Sequence, residues 1–310
     1  MKRLVITHTD LDGVASAAII SRQLGKVDKY IFTQPHILHK AISAIKCSDE
    51  CEVYICDLSP NNSNYLEIKE GIRKALSSGA RIWWFDHHIW ERKWIESLLD
   101  MGVRLAIDVT TCSAGVVLKH VGNNDPVSKR LAEATCSLDM WVFNDWLGNF
   151  LARYVGFSKS ENWRRKVVDR LASGHLLDEE VMRVVEDSVD RELKIISEAL
   201  KKAVVRDVCG HRVAYYYKSV KDHVTSYVAA TLMSRYGADV AVICRKGSVS
   251  LRSNGRVDVR EVAKKLGGGG HPNAAGFSVK PPTLLKVLLF FGIKGPFLKW
   301  CMSKVEKFLC

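Results

Sequence analysis

The sequence lacks the uninterrupted apolar run of roughly 18 residues that a transmembrane helix requires. Its most apolar stretch, residues 283–309, is interrupted by Lys286, Lys294, Gly295 and Pro296. A paired CxxC motif, an internal repeat and a low-complexity tract are also absent, although nine cysteines are scattered along the chain. An odd, irregular set of cysteines without a secretory signal predicts reduced thiols in a cytoplasmic protein, without stable membrane insertion.

Acidic residues are fewer than basic ones. The 310 residues include 34 Asp and Glu against 46 Lys and Arg, which gives a net charge of +12. This excess favours polyanionic partners such as nucleic acid, nucleotides or an anionic membrane surface, although many basic proteins bind none of these. A hydrophobic content of 47% is ordinary for a globular protein, and the length predicts about two domains.

Short β-like runs alternate with helical segments over the N-terminal half. The runs are residues 3–8, 29–34, 52–60, 81–88 and 103–110. A small-residue helix over residues 14–25 and a second helix over about 65–77 lie between them. This alternation predicts a mainly parallel sheet with helices on both faces. In such sheets ligands bind at the carboxyl ends of the strands.

The second half of the chain has a different pattern of predicted elements. Residues 127–205 have a helical pattern, and their last part predicts a long amphipathic helix that links two domains. A smaller α/β unit follows, with strands over 212–218, 238–247 and 248–254 and helices over 223–237 and 258–266. We predict a catalytic domain over 1–175, a linker over 176–204, a second domain over 205–282 and a helical extension over 283–310.

Three groups of polar, metal-capable residues follow predicted strands of the first domain. They are His8, Asp10 and Asp12; Asp57; and Asp86, His87 and His88. Taken singly, each of these residues fits a helix cap or a satisfied core group. Packed together without a cation, the carboxylates would repel one another. Mixed Asp and His ligands without thiolate suit Mn²⁺, with Mg²⁺ as the poorer match.

A glycine-rich stretch near the C-terminus, Gly267 to Phe277 in "GGGGHPNAAGF", predicts an anion-binding loop. Glycines expose backbone N–H groups and let a ligand approach closely. The candidate phosphate-binding residues here are Arg252, Ser253, Gly268, Gly269, Gly270 and His271. A glycine run alone is more often a flexible turn, so the neighbouring donors carry this prediction.

The stretches "HTDLDG", "ICDLSP", "WFDHH" and "GGGGHPNAAGF", in this order, resemble the motifs of the DHH phosphoesterase superfamily. The resemblance covers residues 1–282. The last motif is similar to that of the superfamily's DHH-associated C-terminal domain. Members include RecJ-like exonucleases, oligoribonucleases, cyclic-dinucleotide phosphodiesterases and family II pyrophosphatases. The resemblance implies an α/β fold: a mainly parallel sheet, a helical linker and a smaller α/β domain, with the active site in the cleft between the domains.

The resemblance also implies metal ligands. His8 and Asp10 would hold one ion, and Asp12 and His87 the other, while Asp57 would bridge the two. The family uses a further acid downstream of these motifs. For this role we choose Asp139 in "CSLDMWVFND", with Asp145 as the rival, because the segment departs from the family pattern. Two such ions would activate a water molecule and neutralise phosphoryl charge.

The resemblance also implies which residues contact the substrate and which orient the metal ligands. His88 would lie near the scissile phosphate, and Asp86 would orient ligands from behind them. Arg252 and His271 would hold the phosphate and stabilise the transition state. Asp108 also resembles a recurring family position, but a turn or cap role fits it equally well.

These features predict a metal-dependent exonuclease that hydrolyses single-stranded DNA or RNA to mononucleotides. The alternatives are an oligoribonuclease or phosphoadenosine phosphate phosphatase, a cyclic-dinucleotide phosphodiesterase and a non-enzymatic nucleic-acid-binding scaffold. The predicted partners are single-stranded nucleic acid or short oligonucleotides. A homo-oligomer or a DNA-repair or replication protein stays open as a further partner.

Two further features have alternative interpretations. Most of the tryptophans near the motifs fit core packing, and Trp90 is the candidate for base stacking. We expect residues 283–310 to pack on their own domain, with a subunit or partner interface and then a membrane contact as the alternatives.

Overall fold

A computed structural model describes residues 2–47, 50–122, 125–219 and 224–309. The chain forms two compact units, residues 1–185 and 186–310. The division falls within a long helix, α9 (Glu179–Lys202), in the segment predicted to link two domains. The domain boundaries given by the sequence stay a prediction.

The first unit is built on a five-stranded sheet in which every pair of neighbours is parallel, in the order β2-β1-β3-β4-β5. The strands are β1 (Lys2–Thr7), β2 (Lys29–Phe32), β3 (Cys51–Cys56), β4 (Ala80–Asp86) and β5 (Arg104–Ile107). Ile55 in β3 pairs with Ile6 on one side and with Trp84 on the other. These central strands are buried, as an apolar run in a parallel sheet predicts.

Eight helices are described in the first unit before α9. They are α1 (Leu11–Leu24), α2 (Leu38–Ser43), α3 (Tyr65–Ser77), α4 (Arg92–Asp100), α5 (Ser113–Val121), α6 (Pro126–Asp139), α7 (Trp146–Gly156) and α8 (Glu161–Ala172). Residues of α2, α3 and α4 share one apolar core with the sheet. Helix α1 packs against α5, α6, α7 and α8. The predicted α/β class, with a parallel sheet flanked by helices, is confirmed.

The second unit contains a mixed six-stranded sheet, in the order β10-β11-β9-β8-β7-β6. Its strands are β6 (Val204–Val208), β7 (His211–Tyr217), β8 (Val240–Arg245), β9 (Ser248–Ser253), β10 (Gly269–His271) and β11 (Ala274–Ser278). Only β7 and β8 pair in parallel. The helices are α10 (Thr225–Tyr236), α11 (Val259–Lys265), α12 (Thr283–Phe290) and α13 (Gly295–Leu309).

Two strands of the second unit depart from the sequence prediction. The helical pattern extends to residue 205, but residues 204–208 form β6 and pair with β7 through a turn at Cys209 and Gly210. The glycine run is predicted to be a loop, yet part of it forms β10 and pairs with β11. In both places hydrogen bonds to a neighbouring strand overrule the local pattern.

The C-terminal extension packs on the core of its own unit, as predicted. Phe297, Cys301, Met302 and Val305 of α13 are buried against residues of the second sheet. No helix among the described residues is both long and apolar enough to cross a bilayer.

The prediction of reduced cysteines is wrong at five described positions, because Cys209 is disulfide-bonded in addition to the four cysteines of the two pairs that follow. Disulfides join Cys47 to Cys51 and Cys112 to Cys136, with Cα atoms 5.9 and 5.0 Å apart. The second pair is brought together by the packing of α5 on α6, which residue spacing does not reveal. Cys56, Cys244 and Cys301 are free and buried.

Candidate metal centre and glycine strand

The first group of polar residues follows β1. Nδ1 of His8 lies 2.8 Å from Oδ2 of Asp10 and 3.4 Å from Oδ2 of Asp57. On the far side of the ring, Nε2 of His8 lies 3.2 Å from Oε1 of Gln34, which follows β2. Asp10 also begins α1, where its Oδ1 accepts the N–H of Gly13. His8, Asp10 and Asp57 thus form one group that could hold a metal ion.

Asp57 occupies the centre of the polar residues. It directly follows β3, its backbone has φ 58°, and its side chain is buried. A positive φ at a residue with a side chain costs about 1 kcal/mol or more and is frequent at functional sites. Its Oδ2 faces His8, and its Oδ1 lies 3.3 Å from Nε2 of His87. One carboxylate therefore contacts both imidazoles.

The second group surrounds His87, which follows β4. Its Nε2 lies 3.5 Å from Oδ2 of Asp12 and 3.5 Å from Oδ2 of Asp139. Asp12 is itself held by the start of α5, because its two oxygens accept the N–H groups of Ser113 at 2.7 Å and Ala114 at 2.8 Å. The positive end of that helix and its unpaired N–H groups stabilise a carboxylate there.

Asp86 and His88 form a separate hydrogen-bonded pair. Oδ1 of Asp86 lies 2.8 Å from Nδ1 of His88, and its Oδ2 accepts the indole N–H of Trp90 at 2.6 Å. Asp86 is fully buried, and the two bonds fix the ring of His88 from behind. Asp86 therefore orients His88, and together with Asp57, His87 and His88 it also forms a third group that could hold a metal ion.

The electrostatics of this cluster show the repulsion that the sequence predicted. Burial, and then the charges of Asp57 and Asp139, raise the pKa of Asp12 well above its usual range. Burial raises the pKa of Asp139 to about 6. Burial also opposes charge on His87, but hydrogen bonding to Asp57 and the charges of Asp12 and Asp139 raise its pKa to about 11. The protonated imidazole is the local cation among these carboxylates.

The residues fit a divalent metal ion. Oδ2 of Asp57 and Oδ2 of Asp139 are buried and accept no well-formed hydrogen bond from a described residue, since the imidazole nitrogens beside them lie 3.4 and 3.5 Å away. Buried oxygens without a donor are costly, and a cation satisfies them directly. Carboxylate and imidazole donors without thiolate match Mn²⁺ and, less well, Mg²⁺.

The two rival downstream acids have different surroundings. Asp139, at the end of α6, lies with Asp12 and His87. Asp145 accepts two hydrogen bonds from Arg130 and caps α7 by accepting the N–H of Leu147. The structure thus brings Asp139 and not Asp145 into the cluster.

Asp108 lies in a turn. It accepts the N–H and the hydroxyl of Thr110, and it pairs with Lys119. These contacts match the turn role that the sequence left open for Asp108.

In the second unit, the predicted phosphate-binding residues have unequal exposure. Ser253 is fully buried, and its hydroxyl oxygen accepts the N–H groups of Gly255 and Val257. Arg252, at the end of β9, donates to the hydroxyl of Ser226. His271 ends β10 and is half-buried. Ser253 therefore shapes a turn and does not reach the surface.

Gly268, which directly precedes β10, and the two glycines of β10 are not equivalent. A Cβ at Gly268 would lie 2.1 Å from the carbonyl oxygen of Gly276, and one at Gly270 would lie 2.5 Å from that of Ala274. Close pairing with β11 thus accounts for both. At Gly269 a Cβ would meet nothing within 4 Å. The fold itself leaves room for a side chain at Gly269.

Comparisons with known proteins agree with these motifs. The model of the DHHA1 domain matches residues 210–290. A 3′,5′-cyclic-nucleotide phosphodiesterase of Helicobacter pylori is 23% identical over 87% of this chain and 91% of its own length. Oligoribonuclease NrnB of Bacillus subtilis is 22% identical over 88% of this chain and 72% of its own.

The fold agrees as well. RecJ from Thermus thermophilus, solved in complex with Mn²⁺, superposes with a TM-score of 0.61 at 14% identity, covering 99% of this chain and 52% of RecJ. Residues 210–290 thus match a DHHA1 domain, and the motifs and relatives support a place for the chain in the DHH phosphoesterase superfamily. Both curated relatives are named as enzymes that cleave phosphoester bonds, and the acidic and histidine cluster of this chain suits divalent metal ions.

Several contacts of this site could not be predicted, or were not predicted, from the sequence. Gln34 could have been found, because it follows β2 and the carboxyl ends of parallel strands share one edge. Ser113 and Ala114 act through backbone N–H groups, for which the sequence carries no direct signal. Trp90, the stacking candidate, is buried, packs edge-on against Trp84 and donates to Asp86.

Proposed function

We propose that this protein is a manganese-dependent phosphodiesterase that removes mononucleotides from the ends of single-stranded DNA or RNA. The observation that carries the proposal is the arrangement of carboxylates around His8 and His87 at the ends of β1, β3 and β4. Two of those buried carboxylates have oxygens without a well-formed hydrogen bond from a described residue.

We assign His8, Asp10 and Asp57 to one metal ion, and Asp12, His87 and Asp139 to the other, with Asp57 shared. Bound there, divalent ions supply an activated water molecule and neutralise charge on the phosphoryl oxygens. The chain positions these ligands: Ser113 and Ala114 hold Asp12, and Gln34 holds His8.

His88 is assigned to the phosphoryl group of the substrate. Burial opposes its charge, but the charge of Asp86 and its hydrogen bond raise the pKa of His88. A protonated ring donates strongly to a phosphoryl oxygen. Because Nδ1–H of His88 donates to Asp86, Nε2 is the nitrogen that would donate to the substrate. We further propose that Arg252, Gly269 and His271 contact phosphate groups of the substrate.

The distribution of charge supports a nucleic-acid substrate. Residues 203–310 contain 18 Lys and Arg against 6 Asp and Glu, so this part of the chain carries an excess equal to the whole net charge of +12. Each phosphate contact made by such residues releases counterions, which favours binding of a polymer.

A second candidate is hydrolysis of smaller phosphodiesters. The two curated relatives, named as a cyclic-nucleotide phosphodiesterase and an oligoribonuclease, align over most of this chain. Those names favour short oligonucleotides or cyclic nucleotides as substrates. Hydrolysis of a short substrate needs the carboxylates and imidazoles around His8 and His87, but few of the basic residues of the second unit.

Two substitutions test the chemistry. Asp57→Asn keeps a residue that tolerates positive φ, and His87→Gln keeps a polar side chain of similar reach. Both should abolish manganese-dependent hydrolysis of a model phosphodiester while thermal unfolding stays cooperative. Activity that survives chelation of metal or either substitution contradicts the proposal.

The substrate is tested with end-labelled DNA and RNA as a pentamer and as a long strand, each with Mn²⁺. An exonuclease shortens the long strand stepwise with a lower KM than for the pentamer. A preference for the pentamer supports the second candidate. Binding of either without any hydrolysis would identify a scaffold protein.

A further inference from the structure

The C-terminal extension exposes a group of large apolar side chains. They lie in and directly after α12, and we call them the α12 patch: Leu284, Val287, Phe290, Phe291 and Ile293. Phe290 is 83% exposed, Phe291 71% and Leu284 69%. Single exposed apolar residues are ordinary, but a contiguous group marks an interaction surface.

The patch is one side of a helix whose other side is already used. Leu285 and Leu289 pack against the core of the second sheet and anchor α12. Leu284, Val287 and Phe291 are spaced at positions i, i+3 and i+7, so they share the outward side. Phe290 and Phe291 contact each other edge-on, with ring centroids 5.4 Å apart. The patch therefore contributes little to the core of its unit.

The segment that carries the α12 patch is rich in lysine, and Lys286 lies in α12 itself. Residues 280–309 contain six lysines, namely Lys280, Lys286, Lys294, Lys299, Lys304 and Lys307, and a single acid, Glu306. Of these, Lys280, Lys286, Lys299 and Lys307 are exposed. The segment thus combines aromatic and aliphatic side chains with a strong positive charge.

We propose that the α12 patch binds the surface of an anionic lipid bilayer. Apolar side chains enter the boundary between headgroups and acyl chains, while lysines contact the anionic headgroups. The contact is peripheral, since α12 has only eight residues.

Charge complementarity favours this occupant over two others. In a symmetric contact between two copies, the same lysines would face each other and repel. Single-stranded nucleic acid would match the lysines and could stack on the two phenylalanines, but it offers nothing to Leu284, Val287 and Ile293. An anionic bilayer uses both the charge and all five apolar side chains.

The test is sedimentation of the full-length chain with vesicles. Vesicles of phosphatidylcholine with phosphatidylglycerol should carry the protein down, and vesicles of phosphatidylcholine alone should not. Phe290→Ser combined with Phe291→Ser should lower the partition coefficient at least about tenfold. Lys286→Glu should lower it about fivefold or more, and added salt should release the wild-type protein.

Matched controls lie on α3, in the first unit. Leu66 is 76% exposed and Lys69 is also exposed, so Leu66→Ser and Lys69→Glu make the same changes outside the patch. Neither should alter vesicle binding. Circular dichroism and thermal unfolding of every variant establish that the fold is retained.

Three results would overturn the proposal. One is equal binding to both kinds of vesicle, or binding that the paired Phe substitutions leave unchanged. Another is absence of vesicle binding together with a concentration-dependent mass that the Phe substitutions abolish, which assigns the patch to a second copy of the chain. The third is that the protein does not bind vesicles, while the variant with both Phe substitutions loses binding to a single-stranded oligonucleotide.

Discussion

The backbone N–H of Ser113 donates to Oδ2 of Asp12 across 2.7 Å, although the two residues are 101 positions apart. This bond ties a proposed metal ligand to the first residue of α5. Proline is well tolerated at the first position of a helix, and Cys112 before it already has the extended backbone, with φ −85° and ψ 170°, that proline requires. The donor can therefore be removed by a single substitution.

We predict that Ser113→Pro weakens Mn²⁺ affinity about 10–100-fold, because residues that orient metal ligands have effects of that size. Ser113→Ala removes the same hydroxyl but retains the N–H, so it is the matched control. Calorimetric titration with Mn²⁺ measures both. Equal affinities in the two variants would show that this hydrogen bond does not position Asp12.

Metal binding should release protons. Without a metal ion, the pKa of His87 is about 11 and that of Asp139 about 6. At neutral pH the His87 ring therefore holds a proton that a metal ligand must lose. Affinity for Mn²⁺ should rise about tenfold per pH unit for each proton released.

Calorimetry in two buffers with different ionisation enthalpies counts those protons. His87→Gln should release fewer, whereas His36→Gln, at an exposed site, should leave the count unchanged. A binding heat that is independent of the buffer would contradict this prediction.

The acids Asp139 and Asp145 should respond in opposite ways to substitution. The raised pKa of Asp139 means that the folded state holds the proton more tightly than the unfolded state, where the pKa is about 3.9. The metal-free protein should therefore lose about 1–2 kcal/mol of stability as pH rises from about 4 to about 6. Asp139→Asn should remove this loss and abolish Mn²⁺ binding at the site that it shares with Asp12 and His87.

For Asp145, hydrogen bonding to Arg130 lowers the pKa, so its contribution is present at neutral pH and is lost on acidification. Asp145→Asn should destabilise the protein by about 1 kcal/mol at neutral pH and retain Mn²⁺ binding. Urea unfolding across this pH range, without metal, measures both effects. Loss of metal binding in Asp145→Asn alone would exchange the two assignments.

Substitutions at Gly268 and Gly269 can distinguish an effect on packing from an effect on substrate contact. Gly268→Ala places a methyl group against the carbonyl of Gly276 and should cost about 1–3 kcal/mol of stability. Gly269→Ala meets no neighbour, so stability should change by less than about 0.5 kcal/mol. If substrate phosphate approaches this backbone, Gly269→Ala should still lower kcat/KM about tenfold.

Thermal unfolding and steady-state kinetics on the same samples distinguish these effects. Full activity in Gly269→Ala would remove Gly269 from the proposed phosphate contacts and would leave the metal cluster unaffected.

The sequence predicted the first sheet well for a physical reason. Strands buried on both faces are short apolar runs, and the helix over residues 65–77 was bounded by turn residues on both sides. It failed at β6 and β10, whose strand conformation depends on pairing with β7 and β11. The short helices α2 and α4 also lie outside the predicted elements.

The residues of the site can also be divided into those that the sequence predicts and those that it does not. Ligand candidates could be predicted, since Asp57, Asp86 and His87 stand where buried strands end. Their supports could not be predicted, because a backbone N–H at residue 113 or an indole at residue 90 becomes a partner only after folding. The Cys112–Cys136 disulfide belongs to this second class.

The candidate ligands are spread from residue 8 to residue 139, and they meet only where β1, β3 and β4 lie side by side. In the unfolded chain, no short segment holds all three ligands of either proposed site, unlike in a zinc finger. Parallel pairing and the α5–α6 packing must form first, and both join distant segments. Metal binding should therefore slow unfolding much more than it speeds folding, because the ion binds only after the site has formed.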